Sequence, residues 1–236
     1  MDYETLYTLY QSRKTILNIL AGRGYDTAPY EKFGPVEISA MANAGGAAMR
    51  MDLEKKGGAV ADAATGEGDA TLGAVAAGTG PTKCRVIYAL TRIKNRMATF
   101  MSELLDEEKG DPVDPATTEV MVILAADVMA EAFHTIALTS YANKSLRLRI
   151  SFFQANQLVN NPLEHTLVPK HEVLPRAEHE AFLAAHKIKS KANLPIIKFH
   201  EDMIARVLGL LPGDIVKISS FSPAAGEYLK YRVCAP

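Results

Sequence analysis

The run Val120-Met121-Val122-Ile123-Leu124 limits the folds open to this chain more than any other feature. Five apolar residues in succession leave a strand with no face suited to water. Both faces must be covered, as in the centre of a parallel sheet flanked by helices. The surrounding pattern agrees. Residues 3–21 place Leu6, Leu9, Tyr10, Ile16, Leu17 and Leu20 at helical spacing, with Gly22 and Gly24 as stop signals. Lys83–Leu90 predicts a buried strand from Cys84, Val86, Ile87, Tyr88 and Leu90. A helix follows, with Ile93, Met97, Phe100, Met101, Leu104 and Leu105 on one face. Asp111-Pro112 and Asp114-Pro115 break the chain before the central run. Beyond it, residues 127–139 predict a helix. Leu146–Phe153 predicts a strand in which Leu146, Leu148 and Ile150 alternate with Arg147 and Arg149. The expectation is an N-terminal α/β domain over residues 1–159.

Residues 40–82 differ in character, with stretches such as Ala44-Gly45-Gly46-Ala47-Ala48 and Gly73-Ala74-Val75-Ala76-Ala77-Gly78. Side chains this small bury too little area to offset the cost of ordering the backbone. The composition predicts a flexible Gly/Ala-rich insertion.

The last quarter reads as a separate, small α+β module over residues 160–236. Residues 167–174 predict an extended segment, because Pro169 forbids a helix interior. Pro175 suits a helix start with Glu178 and Glu180 near its positive end, and that helix is expected to run to about Lys187. A second helix, Glu201–Leu208, carries Met203, Ile204, Val207 and Leu208 and stops at Gly209. Pro212-Gly213 turns into a strand at Asp214–Ser219, and Gly226 opens a last strand, Glu227–Cys234. A module of this size has a marginal core, so docking on a partner would stabilise it.

Charge and cysteine usage narrow the function classes. The formal net charge is −1, whereas a free-standing nucleic-acid binder derives most of its affinity from a basic excess. Any DNA contact would have to be local, or made by a larger assembly. Cys84 and Cys234 are the two cysteines, far apart, which excludes a disulfide framework and a cysteine zinc cluster. The opening Met1-Asp2-Tyr3-Glu4 lacks the features of a signal peptide, and no apolar run reaches membrane-spanning length. A soluble, intracellular protein is expected.

Four motifs in the last quarter then point to a family. They are Leu167-Val168-Pro169-Lys170-His171, Leu194-Pro195-x-Ile197, Leu208-Gly209-Leu210-x-x-Gly213-x-x-Val216-Lys217-Ile218 and Ser222-x-x-x-Gly226-x-Tyr228-x-x-Tyr231-Arg232. In this order they resemble the subunit called H of archaeal RNA polymerases, which forms the C-terminal half of the fifth-largest subunit shared by eukaryotic nuclear polymerases. Arg13-Lys14-Thr15, Arg23-Gly24-Tyr25 and the order of helices and strands resemble the jaw domain of the eukaryotic subunit. Archaeal subunits lack that domain, so its presence implies a eukaryotic lineage or a virus infecting eukaryotes. The chain departs from the family at His200-Glu201-Asp202, where an Asp-Pro pair is usual, and at Glu227, where an arginine is usual. The Thr-Pro-Ser-type turn near downstream DNA has no counterpart around Ala125-Ala126-Asp127-Val128.

The resemblance implies a non-catalytic subunit with no cofactor and no metal. Its C-terminal module would dock on the largest polymerase subunit, beside a small shared subunit. Its jaw-like domain would lie near downstream duplex DNA. No membrane contact and no homo-oligomer are expected. The location would be the nucleus in a cell, or the virion and host cytoplasm or nucleus for a virus. The candidate interface residues are Pro169, Lys170, His171, Pro195, Tyr228, Tyr231 and Arg232. Tyr228 and Tyr231 fall on opposite faces of a strand, so one belongs to the core and the other to a partner, while Arg232 shares a face with Tyr228. Arg92, Lys94 and Arg96, and separately Lys144, Arg147 and Arg149, are basic clusters that could face a DNA backbone within a Debye length of about 8–10 Å.

Other patterns compete with this reading. Asp106-Glu107-Glu108-Lys109 resembles the acidic-x-Lys element of restriction-type nucleases, whose fold the jaw domain resembles. Metal-assisted cleavage needs carboxylates on adjoining strands, however, and these residues end a helix. Gly73-x-x-x-x-Gly78 continues with Thr79, not the lysine a phosphate loop requires. His165 and His171 cannot share one helix face and lack neighbouring Asp or Cys ligands. A nuclease-fold DNA-processing protein and a regulator that binds polymerase transiently are the alternatives.

Overall fold

The computed structural model describes residues 2–56, 81–105, 113–224 and 226–236. They divide into two compact units, one ending at Asn160 and the other beginning at Asn161.

The first unit is built on a four-stranded sheet of order β1-β2-β3-β4, formed by Met51–Glu54, Lys83–Ala89, Thr118–Leu124 and Arg149–Gln154. β3 holds the apolar run. It is buried at every position and hydrogen-bonds in parallel to β2 on one side and β4 on the other. Tyr88 pairs with Ile123 and Val122 with Phe152, so large side chains continue the apolar layer across the strands. Four helices accompany the sheet: α1 (Tyr3–Gly22), α2 (Pro35–Ala44), α3 (Met97–Leu105) and α4 (Glu131–Ala142). Asp2 caps α1 by accepting from the Tyr3 N–H at 2.8 Å, and the helix buries Leu9, Ile16, Leu17, Ile19 and Leu20. α4 packs Phe133 against Phe152 of β4, with ring centroids 5.0 Å apart.

Three expectations for this unit change. Residues 40–56, read as the start of a flexible insertion, form the end of α2, a short 3-10 turn at Gly46–Met49 and strand β1. Small side chains here serve close approach. A Cβ on Gly46 would lie 2.6 Å from the Tyr88 carbonyl oxygen, and Gly45 adopts φ of 112°. Met49, Met51 and Leu53 then supply the buried area that the Gly/Ala composition conceals. Residues 57–80, including Gly73–Gly78, and residues 106–112, including Asp106–Lys109, lie outside the described residues.

The helix expected from Asp127 begins instead at Glu131. Asp127 Oδ2 accepts from the backbone N–H groups of Ile93 and Lys94, at 2.6 and 3.1 Å, which holds it in the loop after β3. The strand expected from Leu146 begins at Arg149. Arg147 sits at φ of 44° and closes a turn by donating its N–H to the Asn143 carbonyl at 2.8 Å.

The second unit has its own four-stranded sheet of order β5-β7-β8-β6, from Lys170–Val173, Ile215–Ser222, Gly226–Ala235 and Ile196–Lys198. β7 and β8 form a long antiparallel hairpin, β5 pairs antiparallel with β7, and β6 runs parallel to β8. Helix α5 (His179–Ala185) packs Phe182 and Leu183 against a buried cluster of Leu194, Ile215 and Val233. Helix α6 (Met203–Leu208) buries Ala205, Val207 and Leu208. Its start lies two residues past the expected Glu201, because Asp202 caps it by accepting from Ile204 N at 2.8 Å. It ends where Gly209 turns left-handed at φ of 67°. The extended segment is shorter than expected. Leu167 and Val168 lie in a turn closed by Val168 N–H donating to the His165 carbonyl at 2.9 Å, and β5 starts at Lys170. α5 likewise ends at Ala185, ahead of Lys187, whose φ is 55°. The last strand matches the expected span within a residue at each end, and β7 begins after Asp214, whose Oδ2 accepts from Leu211 N at 2.9 Å.

Candidate interaction site

Side-chain alternation along the β7–β8 hairpin sorts the expected contact residues onto two faces. In the register, His171 lies opposite Ile218, and Ile218 opposite Lys230, while Val216 faces Arg232. Tyr228, Lys230 and Arg232 therefore share one face with His171. Lys170 pairs with Ser219 and Lys217 with Tyr231, which puts Lys170 and Tyr231 on the other face.

On the first face, Pro169, His171 and Arg232 line one groove of about 300 Å³ together with Ile197, Ile218 and Lys230. The α6 residue Ile204 and the cap Asp202 complete it. His171 Nδ1 stands 2.6 Å from the Pro169 carbonyl, so Nδ1 carries the proton and donates. Burial holds the His171 imidazole below its usual pKa, against the opposing pull of that hydrogen bond. Arg232 Nη1 donates to the Ile196 carbonyl at 3.0 Å, and the Lys230 ammonium lies 4.7 Å from the centroid of the Tyr228 ring.

On the second face, Tyr231 is half-buried against Phe182 and His186, with centroids 4.5 and 5.3 Å away. Tyr231 is thus the tyrosine tied to the core, since it packs on the Leu194–Ile215–Val233 cluster. Lys170 and Lys217 flank Glu172 at 2.9 and 3.3 Å. Those two cations draw the Glu172 carboxylate below its ordinary range. Pro195 is exposed at the start of β6, and its carbonyl accepts from Val233 N at 2.9 Å. As an edge-strand proline it offers no N–H to another strand.

The groove also contains residues outside the expected interface set: Ile197 and Ile218 from the motifs, Ile204 from α6 and Asp202 from its cap, and Lys230. Lys230 was detectable, because it alternates with Tyr228 and Arg232. The others depend on which helix covers which face. Elsewhere in the unit, Lys191 Nζ donates to His179 Nδ1 at 2.6 Å and to the Gly213 carbonyl at 3.1 Å, while His179 Nε2 lies 3.2 Å from the Leu174 carbonyl. Burial, then the neighbouring Lys191 charge, lowers the His179 pKa.

In the first unit the two basic clusters lie at opposite ends of the parallel strands. Arg92, Lys94 and Arg96 are exposed beyond the carboxyl end of β2, held there by Asp127 at the carboxyl end of β3. Lys144 and Arg147 are exposed before the amino end of β4, and Arg149, its first residue, is half-buried opposite Glu119. Glu119 makes a buried ion pair with Arg23, at 2.7 Å, that periodicity does not reveal. Arg13 is also buried, donating Nη1 to the Met49 carbonyl at 3.0 Å, with its guanidinium 5.8 and 5.7 Å from the Tyr30 and Phe33 rings. Among the described residues no group of three or more His, Cys, Asp or Glu side chains is arranged to hold a metal ion.

Residues 160–234 match the family model described as RNA polymerase Rpb5, C-terminal domain. The chain is similar to the DNA-directed RNA polymerase subunit Rpo5 of Archaeoglobus fulgidus, 50% identical over 70 residues, covering 30% of this chain and 90% of that protein. The Rpo5 subunit of Methanosarcina barkeri is 42% identical over 71 residues, covering 30% of this chain and 88% of the relative. A longer match joins it to the Dictyostelium discoideum subunit rpabc1 of DNA-directed RNA polymerases I, II and III, 31% identical over 121 residues, or 51% of this chain and 59% of the other. That span exceeds the whole stretch from residue 160 to the C-terminus, so it reaches into the first unit. These matches cover nearly the whole length of the archaeal relatives, and they show that the chain belongs to the Rpb5/Rpo5 family of DNA-directed RNA polymerase subunits.

Proposed function

We propose that this chain is a non-catalytic subunit of a multisubunit DNA-directed RNA polymerase that docks through residues 160–236 on the largest subunit, beside a small shared subunit. One observation carries the docking assignment. The four family motifs are spread over residues 167–232, yet Pro169 and His171 of the first, Ile197 of the second, Ile218 of the third and Arg232 of the fourth line the same groove. Motifs needed only for folding would distribute through the core. Motifs that converge on one accessible groove suit recognition by a partner. Pro195 and Tyr228 would form the surroundings of that contact, while Lys170 and Tyr231 lie on the opposite face, where Tyr231 would support the sheet and Lys170 would meet a neighbouring part of the partner.

The mechanism is scaffolding. The first unit would act as a jaw alongside downstream duplex DNA, within a nuclear polymerase if the host is a cell or a viral enzyme if it is not. Its contribution to DNA contact would be electrostatic and local, since the chain as a whole has a net charge of −1. The exposed Arg92–Arg96 and Lys144–Arg147 clusters are the candidates.

Affinity purification of the tagged full-length chain from its native cells tests this reading. The largest polymerase subunit should co-purify in equal amount and remain bound through a gel-filtration step. Recovery in trace amounts would favour a transient regulator. Metal-dependent DNA cleavage by the purified chain, with no polymerase bound, would refute the scaffold role.

A further inference from the structure

The groove in the second unit has an uneven chemistry that specifies more than a generic contact. Its floor is aliphatic: Ile197 and Ile218 are buried and Ile204 is half-buried. At its rim Leu167 is 85% exposed, on a turn that holds it out to solvent. One wall is cationic. Lys230 and Arg232 project from the same face of β8, both exposed, and neither has a carboxylate partner among the described residues. The one acid lining the groove is Asp202, whose Oδ1 is engaged by the Ile204 and Ala205 N–H groups as the cap of α6. His171, with Nδ1–H donated to the Pro169 carbonyl, has Nε2 left as an acceptor. The groove therefore has an excess of positive charge beside a hydrophobic floor.

We propose that this groove binds an acidic peptide segment of another polymerase subunit, seating aliphatic side chains on Ile197, Ile204 and Ile218 and placing neighbouring carboxylates against Lys230 and Arg232. The proposal rests on the polymerase-subunit reading and specifies the partner's chemistry at that site. Nucleic acid is the other polyanion available in such an assembly, but binding of single strands relies on aromatic platforms for base stacking, and this floor is aliphatic. Two strand residues on one face are about 7 Å apart, so Lys230 and Arg232 can each take a separate carboxylate. Charge pairs that lose water on docking contribute strongly to the lifetime of a complex, and reversing one side adds repulsion.

The test uses the full-length chain inside the assembled polymerase. Leu167→p-benzoylphenylalanine, at an exposed rim position, should crosslink on irradiation to a protein segment that carries Asp or Glu within a few residues of the attachment point. The double variant K230E/R232E should enter the polymerase at least about tenfold less well than the parent chain. It should retain the parent's circular dichroism and melt within a few degrees of it, because both side chains are exposed and only the Arg232 hydrogen bond to the Ile196 carbonyl is lost. Replacing the crosslinked carboxylates by lysine should restore incorporation of K230E/R232E. Crosslinking to nucleic acid, to a segment without acids, or to nothing while the chain is stoichiometric in polymerase would overturn the proposal and leave the subunit assignment standing. Absence of the chain from polymerase would overturn both.

Discussion

Replacing Glu119 with alanine should destabilise the first unit by about 3–5 kcal/mol, the range for removing one member of a buried ion pair. The structure accounts for a value this large. Arg23 Nη2 and Glu119 Oε2 are 2.7 Å apart, with only 11% and 8% of their side chains exposed. Burial is the largest influence on Arg23 and opposes its charge, but Glu119, Tyr25 and Cys84 together outweigh it and the net pull on the arginine pKa is upward. Glu119 is also the charge that offsets Lys55, whose pKa burial lowers and which feels the positive charges of Arg23 and Arg149. Without the carboxylate, Arg23 and Lys55 lose the negative charge that offsets their burial. A domain has roughly 5–15 kcal/mol of stability in total, so the variant would lose a large part of it. Replacing both partners by leucine should cost much less than the single change, because an apolar pair leaves no unpaired buried charge. Urea unfolding of the parent, E119L, R23L and R23L/E119L followed by circular dichroism measures the cycle, with E119A alongside for the single truncation. A cost below about 1 kcal/mol for E119A, or a double variant equal to the sum of the singles, would refute the argument.

Three further outcomes follow from local geometry. Gly46→Ala should destabilise the first unit by about 1–3 kcal/mol, since its Cβ would stand 2.6 Å from the Tyr88 carbonyl oxygen and the backbone must shift; thermal melts compare it with the parent. The second unit should lose stability as the medium is acidified. His179 and His171 have folded pKa values below the ordinary 6.5, so the unfolded chain binds protons more readily. Their contribution is then full above about pH 6.5, falls as pH drops toward the folded values and levels off beneath them. His179→Gln should flatten that slope in melts taken from pH 5 to 8. Cys84 and Cys234 should react slowly with iodoacetamide at pH 8 in the native chain and quickly in urea. Both are buried, and burial raises both thiols, Cys234 to about 12. Rapid labelling of either in the native state would contradict the burial.

Element positions were legible where a single local pattern decided them. The run at Val120–Leu124 announced a central strand because no other place suits five buried residues in a row. Gly209 and Gly226 marked ends correctly because positive φ is a property of the residue itself. Boundaries slipped where a polar side chain had two possible uses. Asp127 looked like part of a helix but holds the Ile93 loop, whereas Asp202 does cap the helix that follows it. β1 and β6 were missed because they are four and three residues long, too short for a period to register. Their place comes from pairing with β2 and β8. Gly45 and Gly46 were misread because composition measures how much surface is buried, not how closely two backbones approach.

By itself, the sequence determined the α/β character of the first unit, the small α+β module after it, the family, and the alternation that puts Tyr228 and Tyr231 on opposite faces. These follow from backbone periodicity and from motifs read in order, and both are local along the chain. Only the tertiary structure decided that Tyr231 faces the core through Phe182, that Arg23 meets Glu119 across ninety-six positions, and that four separated motifs share one groove. Each depends on strand register and on which helix covers which face. The physical reason is that burial of a charge, or convergence of side chains, is a property of contacts between distant segments, and no window along the chain contains both partners.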